Sequence, residues 1–469
     1  MTANWSTFRE LLLPSMATAP PGSRGRVVEN ALREAIRVGR LPAGSRLPSS
    51  RDLASQLSVA RGTVTLAYTQ LTAEGYLLAK PGSGTVVSDS VAGAAPVVDR
   101  DAEPTPEWRY DLRPGLPALS AFPRAAWLAA TRAGLAALPD TDLGYPDPAG
   151  LRSLRVELAA YLGRVRAVTG TAADVVITHG AAEGTTLLSQ VLHAAGHDTV
   201  AVENPSHPGQ AELFAMHGLR PVPVPVDEDG LVVDALAATG CRVIMTTTAH
   251  QFPLGVTMHP KRRHALLAWA RQTDGLIIED DYDAEHRYDC APVSALQALD
   301  PARVVYQGSA SKTLAPALRV GWLVVPPRLH AALRERKRLH DLGCSQLTQA
   351  AMAHLLRTGG YDRHLRRSRA LYRERRDALL AALAVHLPEW QPIGVAAGLH
   401  VVVRLPAGTD DVAVSAALAE AGVNALPLSG YHLSRTAPDY PGLVLGYALL
   451  SPDRLRAAVA EIAATVRPS

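Results

Sequence analysis

Cysteine is scarce in this chain: Cys241, Cys290 and Cys344 are the only three in 469 residues. They lie too far apart in sequence to read as a disulfide framework or a zinc-ligand set, which suits a reducing cytoplasm and points to no metal site. Long apolar runs are also missing. Leu11, Leu12 and Leu13 make too short a run for a secretory leader, and no later stretch is long enough to span a bilayer. A cytoplasmic protein without membrane attachment is therefore expected. Internal repeats are absent as well, which excludes a solenoid or propeller. Neither sign of charge dominates, since 47 Lys and Arg against 44 Asp and Glu leave only +3. That small excess is unevenly spread: from Arg24 to Arg61 eight arginines face only Glu29, Glu34 and Asp52, a local balance of +5. A basic segment of this kind suits a polyanion such as DNA. The remaining composition is that of an ordinary globular protein, and at roughly 100 to 200 residues per domain two or three domains are expected.

The basic segment runs into Leu47 to Val87. Two short helical patterns there, Ser50 to Leu57 and Gly62 to Glu74, are joined by a Ser-Val-Ala-Arg turn, and a two-strand ribbon follows around Pro81-Gly82-Ser83-Gly84. The first helix would bury Leu53, Ala54 and Leu57, and the second Val64, Ala67, Tyr68 and Leu71, leaving Arg61, Thr63 and Thr65 outward. Such an arrangement is a winged helix-turn-helix. The run Gly39, Leu41, Gly44, Leu47, Pro48, Ser49, Arg51, Leu53 and Ala54 resembles the signature of the GntR family of bacterial transcription regulators. That resemblance implies a double-stranded DNA partner touched by Ser49, Arg51, Arg61, Thr63, Ser83 and Gly84. Arg51 and Arg61 would meet base edges or phosphates, Thr63 the backbone, and the wing tip Gly82-Ser83-Gly84 the minor groove. A lone surface arginine is ordinarily just solvated; the fixed spacings around these two give them a role. One departure stands out. The family usually places serine before Arg61, where it can cap the recognition helix, and this chain has Ala60; a missing cap costs about 1 kcal/mol.

Residues 1–23 read as a tail, 24–88 as the winged helix and 89–110 as a linker rich in alanine, proline and acid. Beyond it, apolar runs alternate with helical patterns: Val175 to Thr178, Thr199 to Val202, Pro221 to Val226, Arg242 to Thr247, Leu276 to Glu279, Val304 to Gln307 and Val320 to Val325. Seven buried strands interleaved with helices predict a mostly parallel α/β sheet over residues 111–330. A smaller α/β part follows over 331–469, with Leu399 to Leu405 and Gly442 to Leu449 as strands.

Chemistry concentrates late in that sheet. Ser309-Ala310-Ser311-Lys312 follows a strand and precedes Arg319, and the strand Leu276 to Glu279 ends in Asp280-Asp281-Tyr282-Asp283. Alone, a Ser-x-Ser-Lys is usually a surface turn, and acids after an apolar run are usually a solvated loop. The surrounding sequence resembles fold-type I aminotransferases in the same order. Tyr145-Pro146-Asp147-Pro148-Ala149-Gly150 looks like that group's Tyr-Gly-Asp-Pro-x-Gly stretch, and Thr178-His179-Gly180-Ala181-Ala182-Glu183 like its phosphate-cradling turn. Asn204 to Pro208 looks like the segment whose residue stacks on the cofactor ring, and His250 to Gly255 like the segment lining the ring oxygen.

A winged helix joined by a linker to an aminotransferase-like domain is the architecture of the MocR subfamily of GntR regulators, which this chain resembles from end to end. His250-Gln251-Phe252-Pro253, Glu279 to Asp283, and His364-Leu365-Arg366-Arg367 with Tyr372, Arg375 and Arg376 favour that group over plain aminotransferases. The resemblance implies pyridoxal 5'-phosphate (PLP) as cofactor, with Lys312 as the Schiff-base lysine, Asp280 on the pyridine nitrogen and Tyr282 on the ring oxygen. Ser309, Ser311, Arg319, Ala181 and Ala182 would hold the phosphate, and His207 would stack on the ring. Three departures follow: His207 replaces the usual aromatic, Ala182 and Glu183 replace a common Gln-Gln pair, and Val444 stands where aminotransferases carry the arginine that grips a substrate carboxylate. Arg435 or Arg404 can take over that task. The implied function is a homodimeric, cytoplasmic regulator that binds paired DNA half-sites and senses PLP, or a PLP-amine aldimine made with an amino acid or amine, possible control of vitamin B6 metabolism included. The rival reading is a working aminotransferase to which the winged helix is secondary; in the regulator reading at most weak transamination survives.

Overall fold

The computed structural model describes residues 23–80, 84–90, 107–283, 285–288, 293–433 and 440–467. Two compact units divide the chain, Met1–Pro106 and Glu107–Ser469. The first holds helices α1 (Arg24–Arg37), α2 (Ser50–Leu57) and α3 (Arg61–Ala73) and the antiparallel ribbon β1 (Leu77–Lys80) and β2 (Gly84–Val87). Its core is the apolar set foreseen from the spacing, Leu53, Leu57, Val64, Ala67 and Leu71, closed by Val28 and Leu32 of α1 and by Leu77 and Val87 of the ribbon. Tyr68 belongs to that core and donates its hydroxyl to the Pro48 carbonyl at 2.9 Å, satisfying a polar atom that burial would otherwise penalise.

The second unit starts inside the stretch expected to be linker. There β3 (Tyr110–Asp111) pairs in parallel with a strand near the C-terminus, so the chain is already anchored before residue 111. After α4 (Arg124–Ala137) and α5 (Arg152–Arg166), the large part alternates as β4 (Val175–Thr178), α6 (Ala181–Ala194), β5 (Thr199–Asn204), α7 (Pro208–Met216), β6 (Arg220–Asp227) and β7 (Gly230–Leu231). It continues through α8 (Val233–Ala238), β8 (Val243–Thr246), α9 (Pro260–Gln272), β9 (Leu276–Asp280), β10 (Val304–Ser309) and β11 (Gly321–Val324). These strands form one sheet in the order β4-β11-β10-β9-β8-β5-β6-β7. Pairing is parallel from β10 through β6, and β11 runs antiparallel to both its neighbours. Sequence patterning foresaw seven strands and the structure has eight, because β7 is a two-residue hairpin return too short to leave a pattern.

Consecutive strand residues go to opposite faces. Val176, Val202, Met245 and Ile278 share a core with Leu187 and Leu188 of α6 and Phe214 of α7, while Ile177, Tyr306 and Trp322 share one with Leu154 and Leu158 of α5 on the other side. With both faces covered, the strands read as unbroken apolar runs. The exception is β6, foreseen as buried but exposed at several positions. It lies beside the sheet edge, and Pro221, Pro223 and Pro225 recur at alternate positions, where a missing N–H costs no ladder bond.

Helices α10 (Pro327–Asp341), α11 (Gln346–Arg357) and α12 (Gly360–His386) follow. The expected break near residue 330 falls later, within α12. Tyr361 and Leu365 still pack into the core that holds β4 and β11, whereas Tyr372, Leu379 and Leu383 belong to the C-terminal core. That smaller part comprises β12 (Gln391–Ile393), β13 (His400–Arg404), α13 (Asp411–Glu420), β14 (Val423–Asn424), β15 (Leu426–Pro427), β16 (Gly442–Gly446) and α14 (Pro452–Val466). Its four-stranded sheet has the order β12-β13-β16-β15, and β14 is the partner of β3.

Candidate functional site

In the first unit, Arg51 is exposed and has no ion-pair or hydrogen-bond partner among the described residues. Arg61 is exposed at the start of α3 and donates weakly to Ser50 Oγ at 3.4 Å, while Thr63 is half-buried. Ser49, expected at the DNA, is the N-cap of α2: its hydroxyl accepts from Asp52 N at 3.2 Å and donates to Asp52 Oδ2 at 2.6 Å. Ala60 adopts the same extended N-cap backbone before α3 but has no side-chain oxygen to offer. Gly84 has φ +81, a left-handed value that suits glycine at the turn end of the wing. Ser83 and Gly82 lie outside the described residues.

In the second unit the site grows from the carboxyl edge of the parallel strands, where ligands collect. The two acids after Glu279 part company because side chains alternate along the chain. Asp281 accepts from Arg166 Nε and Tyr306 Oη, each at 2.7 Å, and is committed to a buried ion pair. Asp280 faces the other way and accepts from Gln210 Nε2 at 2.6 Å and Gln307 Nε2 at 3.3 Å. These partners are neutral amides. Asp280 is 7% exposed, and burial pushes its carboxyl up to about 6 against the pull of Gln307.

Lys312 is half-buried three residues beyond the end of β10, and its Nζ donates to the Gly115 carbonyl at 2.6 Å. Burial holds the amine below the ordinary lysine value, although Asp280 and Asp283 pull it up. Gly115 has φ +83, and a Cβ there would stand 3.1 Å from the amine. Nearby, Gly180 caps α6, and a Cβ on it would lie 3.2 Å from both terminal nitrogens of Arg319. Ala181 and Ala182 open α6 and present first-turn N–H groups that no helical carbonyl uses. Ser309 pairs with Gly321, whose backbone lies against Gly180, and Ser309 Oγ accepts from Ser311 N at 3.0 Å. Arg319, Ser309 and the N-terminus of α6 are thus neighbours through Gly180 and Gly321. His207 is the N-cap of α7, one turn before Gln210, and its ring centroid is 5.8 Å from that of Phe252. Tyr282 is half-buried, and its hydroxyl meets His250 Nδ1 at 3.0 Å.

Several members of this assembly left no sequence signal. Gly115 lies 197 residues from Lys312, and Gln210 and Gln307 are 70 and 27 residues from Asp280. Glu183, noted only as a departure, is also explained. Lys337 of α10 is fully buried and donates to both Glu183 oxygens at 2.9 and 2.8 Å and to Asp341 at 2.6 Å. Glutamate in place of glutamine gives that ammonium its counter-charge, and Glu183 in turn accepts from His179 N at 2.6 Å, bracing the turn that opens α6. The ligand atoms of His179, Glu183, Asp341 and Cys344 lie within 4.8 Å of one another, but the Lys337 ammonium already supplies the positive charge a metal would bring.

Val444 is fully buried, packed with Leu254, Val402, Leu428 and Tyr431, so the position of the carboxylate-binding arginine is filled by apolar surface. Arg404 stands on the same face of β13 as Val402, with its guanidinium 3.9 Å from the Tyr440 ring centroid and its Nε buried without a partner. Arg435 lies outside the described residues.

Two family models match this chain. "Bacterial regulatory proteins, gntR family" covers residues 25–87, and "Aminotransferase class I and II" covers residues 117–462. The HTH-type pyridoxine biosynthesis transcriptional regulator PdxR of Corynebacterium glutamicum is 34% identical over 93% of this chain and 94% of its own length. This chain belongs to the MocR group of GntR transcription regulators. The probable rhizopine catabolism regulatory protein MocR of Rhizobium meliloti is 34% identical over 92% of this chain and 91% of its own. Among solved structures, an archaeal alanine:glyoxylate aminotransferase matches 76% of this regulator and 90% of its own chain, with TM-score 0.70 and 29% identity. The kynurenine aminotransferase of Pyrococcus horikoshii matches with TM-score 0.70 at 27% identity, covering 77% and 91% of the two chains. The MocR-group regulator therefore carries a DNA-binding unit ahead of an aminotransferase-like unit. No helix among its described residues is long and apolar enough to cross a membrane.

Proposed function

We propose that this regulator senses pyridoxal 5'-phosphate in its aminotransferase-like unit and answers by changing its grip on an operator. The observation that carries the reading is the partly buried Lys312 amine, held below its ordinary pKa near the buried Asp280 carboxyl, with Arg319, Ser309 and the N-terminus of α6 gathered around Gly180 and Gly321. The donor set fits the group: an amine for the aldehyde, an acid for the pyridine nitrogen, Tyr282 for the ring oxygen and His207 for the ring face. Gly115 and Gly180 keep clear two places that a Cβ would crowd. When bound, PLP supplies an aldehyde for the lysine and an electron-withdrawing ring. The protein's part is to keep that amine available, hold the ring nitrogen's proton at Asp280 and fix the phosphate.

The apolar surface at Val444 supports PLP itself as the signal, and with it control of vitamin B6 synthesis, since a site without a carboxylate clamp loses about 1.5 to 3 kcal/mol per charged hydrogen bond toward an amino acid. The name of the Corynebacterium relative leans the same way. Arg404 supports a second reading, an amino acid or amine effector, because its guanidinium edge is buried and unpartnered. Homodimerisation is supported by apolar side chains left in solvent: Leu128 and Leu135 on one face of α4, Tyr145 at 88% exposure, and Leu342 and Leu347 around α11. These lie close together, since α4 packs on α11 and Gly343 stands against Pro146. A dimer would present two winged helices to paired half-sites.

The test is binding to the regulator's own upstream DNA at fixed salt, with and without PLP, for the wild type and Lys312→Ala. A PLP-dependent change in affinity or footprint that the variant lacks is expected, together with the long-wavelength absorbance of lysine-bound PLP in the wild type alone. A variant that keeps the absorbance refutes Lys312. Absorbance without any change in DNA binding moves the assignment to an amine effector.

A further inference from the structure

Behind the Tyr282 hydroxyl lies a pair that neither the family models nor the relatives' names assign. His250 Nδ1 stands 3.1 and 3.0 Å from the two carboxylate oxygens of Asp283 and 3.0 Å from Tyr282 Oη. Both members are interior, His250 at 3% exposure and Asp283 at 1%. We propose that Asp283 and His250 are positioning residues for Tyr282: they hold its phenol oxygen from behind so that its hydrogen is donated to the ring oxygen of the bound cofactor. The proposal rests on the PLP reading above.

Hydrogen counting supports it. A neutral imidazole nitrogen carries at most one hydrogen. Facing a carboxylate that only accepts, Nδ1 must be the protonated nitrogen, and its single N–H is shared between Asp283 and the phenol oxygen of Tyr282. The tyrosine cannot then donate to that nitrogen, which leaves its hydrogen to the Asp283 carboxylate beside it or, once the cofactor is bound, to the ring oxygen. The backbone is also shaped around the pair. Gly398 has φ +74, and a Cβ on it would stand 2.4 Å from His250 Cε1 and 2.5 Å from Asp283 Oδ2. Gly255, with φ +72, approaches the other edge of the ring, where a Cβ would lie 3.3 Å from His250 Nε2. The Gly398 carbonyl accepts from Tyr447 Oη at 2.7 Å and from Tyr288 Oη, which fixes the loop that makes this room. Phe252, edge-on to Tyr282 with centroids 5.8 Å apart, offers the phenol no competing polar partner.

Other ionisable groups face this assembly. His400 has its ring centroid 5.5 Å from that of His250 and gives or receives no hydrogen bond with it, being engaged with the Pro253 carbonyl at 2.9 Å. Asp283 bears on Tyr282 by both charge and hydrogen bond, Asp280 and Glu203 by charge, and Lys312 on His400. Asp283 is the acid that touches both His250 and, by its charge, Lys312.

The experiment is a pH titration of the absorbance of lysine-bound PLP in the full-length protein, for the wild type, Tyr282→Phe, His250→Gln, Asp283→Asn and each of the last two combined with Tyr282→Phe. Circular dichroism checks folding. A donor to the ring oxygen favours its charged form, so losing it makes protonation easier and raises the midpoint. His250→Gln and Asp283→Asn are each expected to raise the midpoint by about one pH unit, a tenfold change in proton affinity, and to add little in the Tyr282→Phe background. Folded variants that keep the wild-type midpoint while Tyr282→Phe moves it overturn the relay, as do shifts that add fully to that of Tyr282→Phe. Should His250→Gln fail to fold, Asp283→Asn decides alone. A wild type that shows no such absorbance overturns the PLP reading itself, a failure plainly different from an absorbance that does not respond.

Discussion

Replacing Lys337 with methionine isolates one charge at the phosphate end of the site. Methionine keeps most of the length and apolar body of the side chain, so the change removes chiefly three hydrogen bonds, two to Glu183 and one to Asp341. The lysine is fully buried and the Glu183 side chain is 8% exposed, whereas that of Asp341 is 20% exposed and closer to water. Stranding one partner of a buried pair costs about 3 to 5 kcal/mol. His179, 3.1 Å from Asp341, and His340, 3.6 Å from Glu183, can take up part of the charge if protonated, which places the expected loss near the lower end, about 3 kcal/mol. The loss should depend on pH in a definite direction. In the wild type burial lowers the Lys337 amine, but Cys344, Asp341 and Glu183 outweigh it and hold the amine above its ordinary value, so its contribution is constant from pH 5 to 8 and fades only in strong base. Asp341, raised by burial but lowered more by Lys337, contributes stability that is lost only in acid below the ordinary aspartate range. In the variant the Asp341 carboxylate loses the ammonium that lowers it and keeps the burial that raises it, so the deficit should be larger at pH 8 than at pH 5. Urea denaturation at both pH values measures this, and PLP titration in parallel should show at least tenfold weaker binding because Glu183 no longer braces the start of α6. A deficit under about 1 kcal/mol that is the same at both pH values would refute the reasoning.

Asp280→Asn should stabilise the cofactor-free protein at pH 8 while weakening PLP binding. Burial raises this acid to about 6, so its charged form penalises the fold above that pH, by about 2 to 3 kcal/mol, and the penalty fades as pH falls toward 4; urea midpoints of wild type and variant at pH 8 and pH 5 should converge at the lower pH. Ala60→Ser supplies the absent cap of α3 in a backbone that already has cap geometry, and amide exchange across residues 61–73 should slow by the equivalent of about 0.5 to 1 kcal/mol; unchanged exchange would count against it. Arg51→Ala should cost about 1 to 3 kcal/mol on the operator and much less on unrelated DNA if the side chain reads a base, whereas equal losses on both sequences would make it a phosphate contact.

Much of this regulator is legible in the order of its residues. Helix α2 coincides with its pattern and α3 begins one residue early, because a winged helix buries one stripe of each short helix and the stripe is visible as spacing. The seven longer strands of the main sheet are visible for a similar reason: most are covered on both faces, and composition alone marks them. The two-residue β7 is invisible, and so is the true start of the second unit at β3, because Tyr110–Asp111 becomes a strand only by pairing with Val423–Asn424. The chemistry shows the same division. Short motifs at strand ends hold Lys312, Asp280 and Tyr282, and it is the resemblance to fold-type I aminotransferases, not the motifs alone, that singles them out.

What the sequence by itself determined is therefore the fold class and the elements that carry the candidate side chains. Only the tertiary structure decided their partners. Asp281 is tied to Arg166 and Tyr306 and Asp280 is left to Gln210 and Gln307, because alternation on the strand sends adjacent acids to opposite faces, where different neighbours wait. Likewise Glu183 meets Lys337, and Lys312 meets Gly115, across 154 and 197 residues of chain. Hydrogen bonds and burial act through space within a few ångströms, and no local spacing in a sequence records which distant residue will arrive there.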